Sequence, residues 1–174
     1  MDARIKMNDA WLMGQALRQA KQALSAGEFP VGCVIADEKN ILAVGLRQGT
    51  SGGQANETDH AEIVALRRLV DAAGNKTAGP LSVYCTMEPC LMCFGAILIS
   101  GIHRIVYAYE DVMGGGTGCD LSRLPALYSG AQVTIVPQVM RKESLALFKA
   151  FFSRPGNHYW ENSVLAAYTL AQPL

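Results

Sequence analysis

Apolar residues recur at helical spacing from Asn8 to Ala26 (Trp11, Leu12, Ala16, Ala20, Ala23, Leu24), and Gly27 follows as a helix-ending glycine. Two short apolar runs come next, Val31–Ala36 and Ile41–Leu46, separated by Asp37-Glu38-Lys39-Asn40, and they read as a hairpin. Residues 47–57 are rich in Gly, Gln, Ser and Thr, a loop composition. His60–Ala73 returns to helical periodicity, with Thr58 or Asp59 as the expected N-cap and Glu62 in the first turn. Leu81–Thr86 reads as a strand, Cys90–Ser100 as a helix apolar on all sides and therefore buried, and Ile102–Tyr109 as another strand. A glycine-rich loop over 111–118 precedes a strand at Gln132–Pro137 and an amphipathic helix at Arg141–Phe152. A hairpin followed by alternating helices and strands predicts an α/β domain, a mixed sheet with helices on both faces.

Composition narrows the class. The chain has 174 residues, enough for one domain with a hydrophobic core, and half of them are apolar against 17% charged. That low charge suggests apolar surface shared between subunits. Fifteen basic residues balance fifteen acidic ones, so no global field attracts polyanions. Residues 1–7 lack the apolar core of a signal peptide, and the longest apolar stretch, Leu91–Ile99, is too short to span a bilayer. A cytoplasmic protein without a membrane partner is expected. Five cysteines are an odd number in such a chain, which favours metal or catalytic use over a disulfide framework.

The chemistry concentrates in two short segments, His60-Ala61-Glu62 and Pro89-Cys90-Leu91-Met92-Cys93. A Cys-x-x-Cys at a helix start presents two thiolates about one turn apart, and the helix N-terminus favours their charge. His60, at the start of a second helix, supplies a third ligand. Three protein ligands leave the fourth tetrahedral position for water, the catalytic arrangement, whereas structural zinc sites close all four. A structural site would need Cys85 or Cys119 as well. Cys85 and Cys33 read as core residues, and His103 as surface. Glu62, two residues from the histidine, is placed to move a proton from water to a ring nitrogen and on to a leaving amine.

His-x-Glu followed by Pro-Cys-x-x-Cys resembles the signature of the cytidine/deoxycytidylate deaminase superfamily. Thr86–Ala96, with Gly101-Ile102-His103-Arg104-Ile105-Val106-Tyr107 after it, is similar to the branch holding tRNA adenosine, guanine and fungal cytosine deaminases, and Phe29–Val34 resembles the family's first strand. The match runs over about residues 8–152. It implies a three-layer α/β/α sandwich around a five-stranded sheet and a deaminase domain over 1–153, with 154–174 as a tail packing on the pocket or on a partner subunit. It further implies Zn2+ on His60, Cys90 and Cys93, Glu62 as proton shuttle, and a homodimer. Phe29, Val31 and Glu88 fall among the residues it places at the substrate, although Glu88 also reads as local structure at the strand-to-helix turn. The segment Arg154–Glu161 resembles the aromatic, carboxylate-bearing end of free-base deaminases, where Tyr159 or Trp160 would stack on a base and Glu161 accept its N–H groups; the alternative is that these aromatics dock the tail on the domain.

Charge then ranks the substrates. Residues 48–66, 77–103 and 105–122 contain no Lys or Arg, yet carry Glu57, Asp59, Glu62, Glu88, Glu110, Asp111 and Asp120. An acidic mouth repels phosphate. The tRNA branch also has an asparagine after its second strand, where this chain has Leu46-Arg47-Gln48. The expectation is hydrolytic deamination of a small nucleobase or nucleoside of guanine, adenine or cytosine type. A tRNA adenosine deaminase ranks second, and a non-catalytic zinc-binding module third, since a scaffold has no use for Glu62.

Overall fold

The computed structural model describes residues 7–51, 56–73 and 79–174; part of the loop expected over 47–57 lies outside them. The elements are α1 (Asp9–Ser25), β1 (Gly32–Ala36), β2 (Ile41–Leu46), α2 (Ala61–Ala73), β3 (Ser82–Met87), α3 (Leu91–Ile99) and β4 (Arg104–Tyr109). A 3-10 turn at Leu121–Arg123 and a short α4 (Ala126–Ser129) follow, then β5 (Thr134–Val136), α5 (Arg141–Phe152) and α6 (Val164–Ala171). The five strands lie in the order β2-β1-β3-β4-β5. β1 is antiparallel to β2 and β3, while β3, β4 and β5 are parallel, so the sheet is mixed as expected.

Side-chain alternation on the strands sets the layers. Val34, Ala36, Tyr84, Val106 and Ala108 meet Leu12, Met13, Ala16 and Leu17 of α1 on one face. Cys33, Ile35, Val83, Cys85 and Ile105 meet Ala61, Ala65, Leu69 and Ile97, from α2 and α3, on the other. Close approach is built in by small residues: a Cβ at Gly32 would lie 2.2 Å from the Ala16 carbonyl oxygen, and one at Gly45 2.0 Å from that of Ala61. α5 packs beside α1, and α6 packs on α5. Arg141 at the start of α5 donates to Glu110 and to Gln172, while the Tyr168 hydroxyl donates to Glu110, which fastens α6 to the end of β4.

Three details differ from the sequence expectation. α3 is not buried on all sides; Leu91 and Ile99 are each 61% exposed, because the helix lies outside the sheet with one face uncovered. β5 covers only Thr134–Val136, as it pairs with β4 alone and over three residues. Neither Thr58 nor Asp59 caps α2: Asn56 Oδ1 accepts from the Thr58 and Asp59 amides, and the Asp59 carboxylate is taken up by Asn56 Nδ2 and Arg67. Among the described residues no helix is long and apolar enough to cross a membrane.

Candidate metal centre and active site

Sheet topology brings four chain segments to one place. β3 ends at Met87 and leads through Glu88-Pro89 into α3, whose first turn holds Cys93 and whose N-cap is Cys90. Antiparallel β1 begins where β3 ends, with the Gly32 amide donating to Thr86 Oγ1 at 3.0 Å, so Phe29 and Val31 lie beside Met87. β2 ends beside them, the Arg47 amide donating to the Val31 carbonyl at 2.9 Å. α2 starts at the same end, the Val64 amide donating to the His60 carbonyl at 2.9 Å. Two helix N-termini thus converge, and their dipoles favour anionic donors there.

His60, Cys90 and Cys93 offer ligand atoms that all lie within 4.8 Å of one another. His60 Nδ1 is 3.5 Å from Cys90 Sγ and 3.4 Å from Cys93 Sγ. One imidazole and two thiols at that spacing are a donor set that suits zinc, and among the described residues no fourth donor joins it. Cys119 is exposed and stands apart. Cys33 and Cys85 are fully buried opposite one another on β1 and β3, and burial pushes both thiols up. The Cys93 thiol donating to Cys90 sulfur brings Cys90 down to about 4, against the effect of burial and with help from His60. The same contact pushes Cys93 up. His60 is raised chiefly by Cys90, with burial and the charge of Arg47 opposing. Metal binding requires loss of these protons, so it is coupled to proton release.

Glu62 is 3% exposed, and Cys93 Sγ donates to its Oε2 at 3.6 Å. Burial pushes its carboxyl up, although its own backbone amide and His60 oppose this. A carboxyl of raised basicity beside the ligand cluster is suited to hold a proton between two transfers.

The cluster opens into a cavity of about 490 Å3, its open mouth included. Phe29, Val31, Met87 and Trp160 give it apolar walls, with Arg47, Glu88, Asp111 and Tyr159 around them. Trp160 stacks on Tyr159 at 5.1 Å between ring centroids, and Phe29 packs on both. Glu88 reaches the cavity but is tied down, its carboxylate accepting from the Asp111 and Thr117 amides and from the Thr117 hydroxyl. It holds the glycine loop against the cysteine turn, where the Gly116 amide donates to the Pro89 carbonyl at 2.9 Å. It therefore both lines the cavity and ties the loop to the turn. Glu161 is not brought to the cavity: it is exposed and paired with His158 Nδ1 at 3.1 Å. The left-handed backbone of Trp160 (φ 53°) and Asn162 (φ 62°) turns the chain so that 160 faces in and 161 faces out.

The residue that sequence reasoning passed over is Arg47. It immediately precedes the cation-free stretch, yet it is 2% exposed and lines the cavity. Its Nη1 donates to the Asn56 carbonyl at 2.9 Å and its Nη2 to Glu57 at 2.9 Å and to the Tyr159 hydroxyl at 3.4 Å. The available signal was its position immediately after β2, at the end of the sheet where β3 leads into the cysteine turn.

Residues 6–109 match the model of the cytidine and deoxycytidylate deaminase zinc-binding region. The chain is 31% identical over 150 residues to the tRNA-specific adenosine deaminase of Rickettsia bellii, covering 82% of this chain and 98% of that protein. It is 33% identical over 147 residues to the tRNA-specific adenosine deaminase of Haemophilus influenzae, covering 84% of each. A solved structure from studies of A-to-I editing by tRNA:A34 deaminases superimposes with a TM-score of 0.64 at 27% identity, over 79% of this chain and 98% of that one. The guanine deaminase of Nitrosomonas europaea shares the fold, with a TM-score of 0.67 at 20% identity over 85% of this chain and 86% of that one. Ligand triad, buried glutamate, sheet order and relatives agree: the chain belongs to the family of the cytidine and deoxycytidylate deaminase zinc-binding region, and is a hydrolytic deaminase.

Proposed function

We propose that this deaminase removes the exocyclic amino group of a nucleobase, with water as co-substrate and ammonia and the oxo-base as products. The observation that carries the reading is the buried Glu62 carboxyl beside the His60, Cys90 and Cys93 donors, at the floor of an apolar-walled cavity. Zinc held by those three residues makes water a nucleophile near neutral pH. Glu62 takes one proton from the water and delivers it to the ring nitrogen next to the amino-bearing carbon; it then takes the second proton, from the added hydroxyl, and passes it to the departing amine, so that ammonia leaves as the C–N bond breaks and the carbonyl forms. Phe29, Val31 and Met87 flank the ring and exclude solvent, and Trp160 stacks on it.

The named relatives support adenosine in tRNA as the substrate, and we rank it ahead of the free base that the acidic mouth favours. A cytoplasmic setting is in keeping with those relatives. The free base is the second reading, and one observation favours it: Arg47, the one Lys or Arg among the described residues lining the cavity, is already paired with Glu57. A homodimer is part of the proposal, and exposed Leu91, Met92 and Ile99 on α3 supply an apolar face in keeping with it.

The test is ammonia release by zinc-loaded protein from free bases and nucleosides, run beside inosine formation in tRNA anticodon stem-loops. Inosine without small-molecule turnover assigns tRNA. Ammonia from a base without inosine assigns the second reading. Neither product from zinc-loaded protein refutes the proposal.

A further inference from the structure

We propose that Thr86 is a positioning residue: its hydroxyl stands in for the main-chain pair that would close the ladder between β1 and β3, and so sets the places of Val31 and Met87 beside the substrate ring. The inference rests on the deaminase reading. It needs no choice between a base in tRNA and a free base, since either enters the same cavity.

β1 and β3 pair in antiparallel register from Ala36 opposite Ser82 to Cys33 opposite Cys85, and the pairing stops there. The Val31 carbonyl faces β2, where it accepts from the Arg47 amide, so by alternation the Gly32 amide faces β3. A regular ladder would give that amide a main-chain oxygen. Instead it donates to Thr86 Oγ1 at 3.0 Å. Thr86 is passed over on its other side as well: β3 pairs with β4 at Cys85 opposite Tyr107 and again at Met87 opposite Tyr109, with Thr86 left between. The Thr86 carbonyl accepts from the Ser144 hydroxyl of α5 at 2.6 Å. Thr86 and Ser144 are both fully buried, so water replaces neither bond.

Both ends of the bond are anchored. On one side a Cβ at Gly32 would lie 2.2 Å from the Ala16 carbonyl oxygen and 2.5 Å from the Ala20 amide, so the start of β1 is seated on α1. On the other, Ser144 holds the Thr86 carbonyl to α5. The Thr86 hydroxyl links the two. The residues just beyond it, Val31 and Met87, both line the cavity. None of the candidate ligands lies on β1: His60 immediately precedes α2, which carries Glu62, and Cys90 and Cys93 belong to the start of α3. Loss of the hydroxyl therefore leaves the buried Gly32 amide unpaired and frees Phe29 and Val31 from Met87, while the metal donors keep their helices. A wall that touches the ring equally before and during reaction acts on KM and leaves kcat alone.

The rival account gives Thr86 a part in stability alone. Zinc content, unfolding temperature and steady-state kinetics on zinc-loaded protein separate the two, with a tRNA anticodon stem-loop and the free bases adenine, guanine and cytosine as probes. Thr86→Val keeps the shape without the hydroxyl. On whichever probe the wild type converts, it should raise KM by about 10-fold, the size of roughly one hydrogen bond, with kcat and zinc content little changed. Thr86→Ser retains the oxygen and should bring KM back to the wild-type value. If Thr86→Val does not fold, Ser144→Ala serves in its place, because it frees the Thr86 carbonyl from α5 and spares the hydroxyl: a raised KM at unchanged kcat is expected, and an unchanged KM overturns the inference. Folded Thr86→Val protein with wild-type KM, whatever its unfolding temperature, overturns it too, as does a loss that falls on kcat or zinc content instead. Those results leave the deaminase reading standing. Absence of turnover by zinc-loaded wild type on all probes overturns that reading and this inference with it.

Discussion

Replacing Gly45 with alanine should damage both stability and the site, through one helix. Gly45 faces α2 from β2, and a Cβ there would lie 2.0 Å from the Ala61 carbonyl oxygen and 2.7 Å from the Ala65 amide. Cβ atoms essentially never approach a heavy atom within 3.0 Å, so α2 must retreat by about 1 Å. Both contacts are backbone, and Ala61 and Ala65 are themselves fully buried, so no flexible side chain can yield instead. Overpacking of this kind costs about 1–3 kcal/mol, or roughly 2–12 °C in unfolding temperature for a chain of this size. α2 also carries Glu62, and His60 immediately precedes it. A shift near 1 Å at catalytic groups lowers turnover by about 100-fold. Thermal unfolding and ammonia release measure the two effects. Gly14→Ala is the matched control: it lies within α1 with nothing within 4 Å of its added Cβ, and should gain about 0.4–1 kcal/mol. A Gly45→Ala protein with wild-type unfolding temperature and full activity would refute the reasoning.

Two further predictions follow from the charges. Glu62→Gln should keep its zinc and lose turnover by roughly 100- to 10,000-fold, because it removes the proton carrier and no ligand, while Cys90→Ala should lose zinc on dialysis; metal analysis beside ammonia release checks both, and active Glu62→Gln protein would defeat the mechanism. Asp9 accepts from Arg104 at 2.8 Å and from the Tyr84 hydroxyl at 2.9 Å, and chiefly the Arg104 bond holds its carboxyl below the usual range. A depressed carboxyl stabilises the fold above its unfolded value, about 3.9, and the gain is lost as pH falls through the folded value. The gap in unfolding temperature between wild type and Asp9→Asn should therefore stay constant from neutral pH to about pH 4 and close below it; a gap that persists in stronger acid contradicts the assignment.

The fold was largely legible because its signals are local. The period of α1, the Asp37–Asn40 turn between two apolar runs, and the Cys90–Cys93 spacing each lie within a few residues. His60 and Glu62 were legible for a different reason, the narrow chemistry that a histidine, a glutamate and two cysteines share. What the sequence pattern could not carry was convergence between distant segments. Arg47 and Tyr159 are 112 positions apart, and their contact depends on how α5 returns across the sheet. The same limit bears on Glu88 and Glu161: the resemblance marks both as carboxylates at the site, and the structure shows Glu88 lining the cavity while accepting loop hydrogen bonds, and Glu161 exposed beside His158 after a left-handed turn. The exposed side of α3 escaped notice because an all-apolar helix has no polar face to mark where the protein ends.

The wall that Tyr159 adds has a consequence for biosynthesis. A ribosome releases His60, Glu62, Cys90 and Cys93 well before residues 159 and 160, so the metal ligands can assemble on a nascent chain while one side of the cavity is still missing. Ligands and wall thus come from different parts of the chain: removal of the residues from 159 onward would leave His60, Cys90 and Cys93 in the sequence but take the Tyr159 hydroxyl from Arg47 and Trp160 from the cavity.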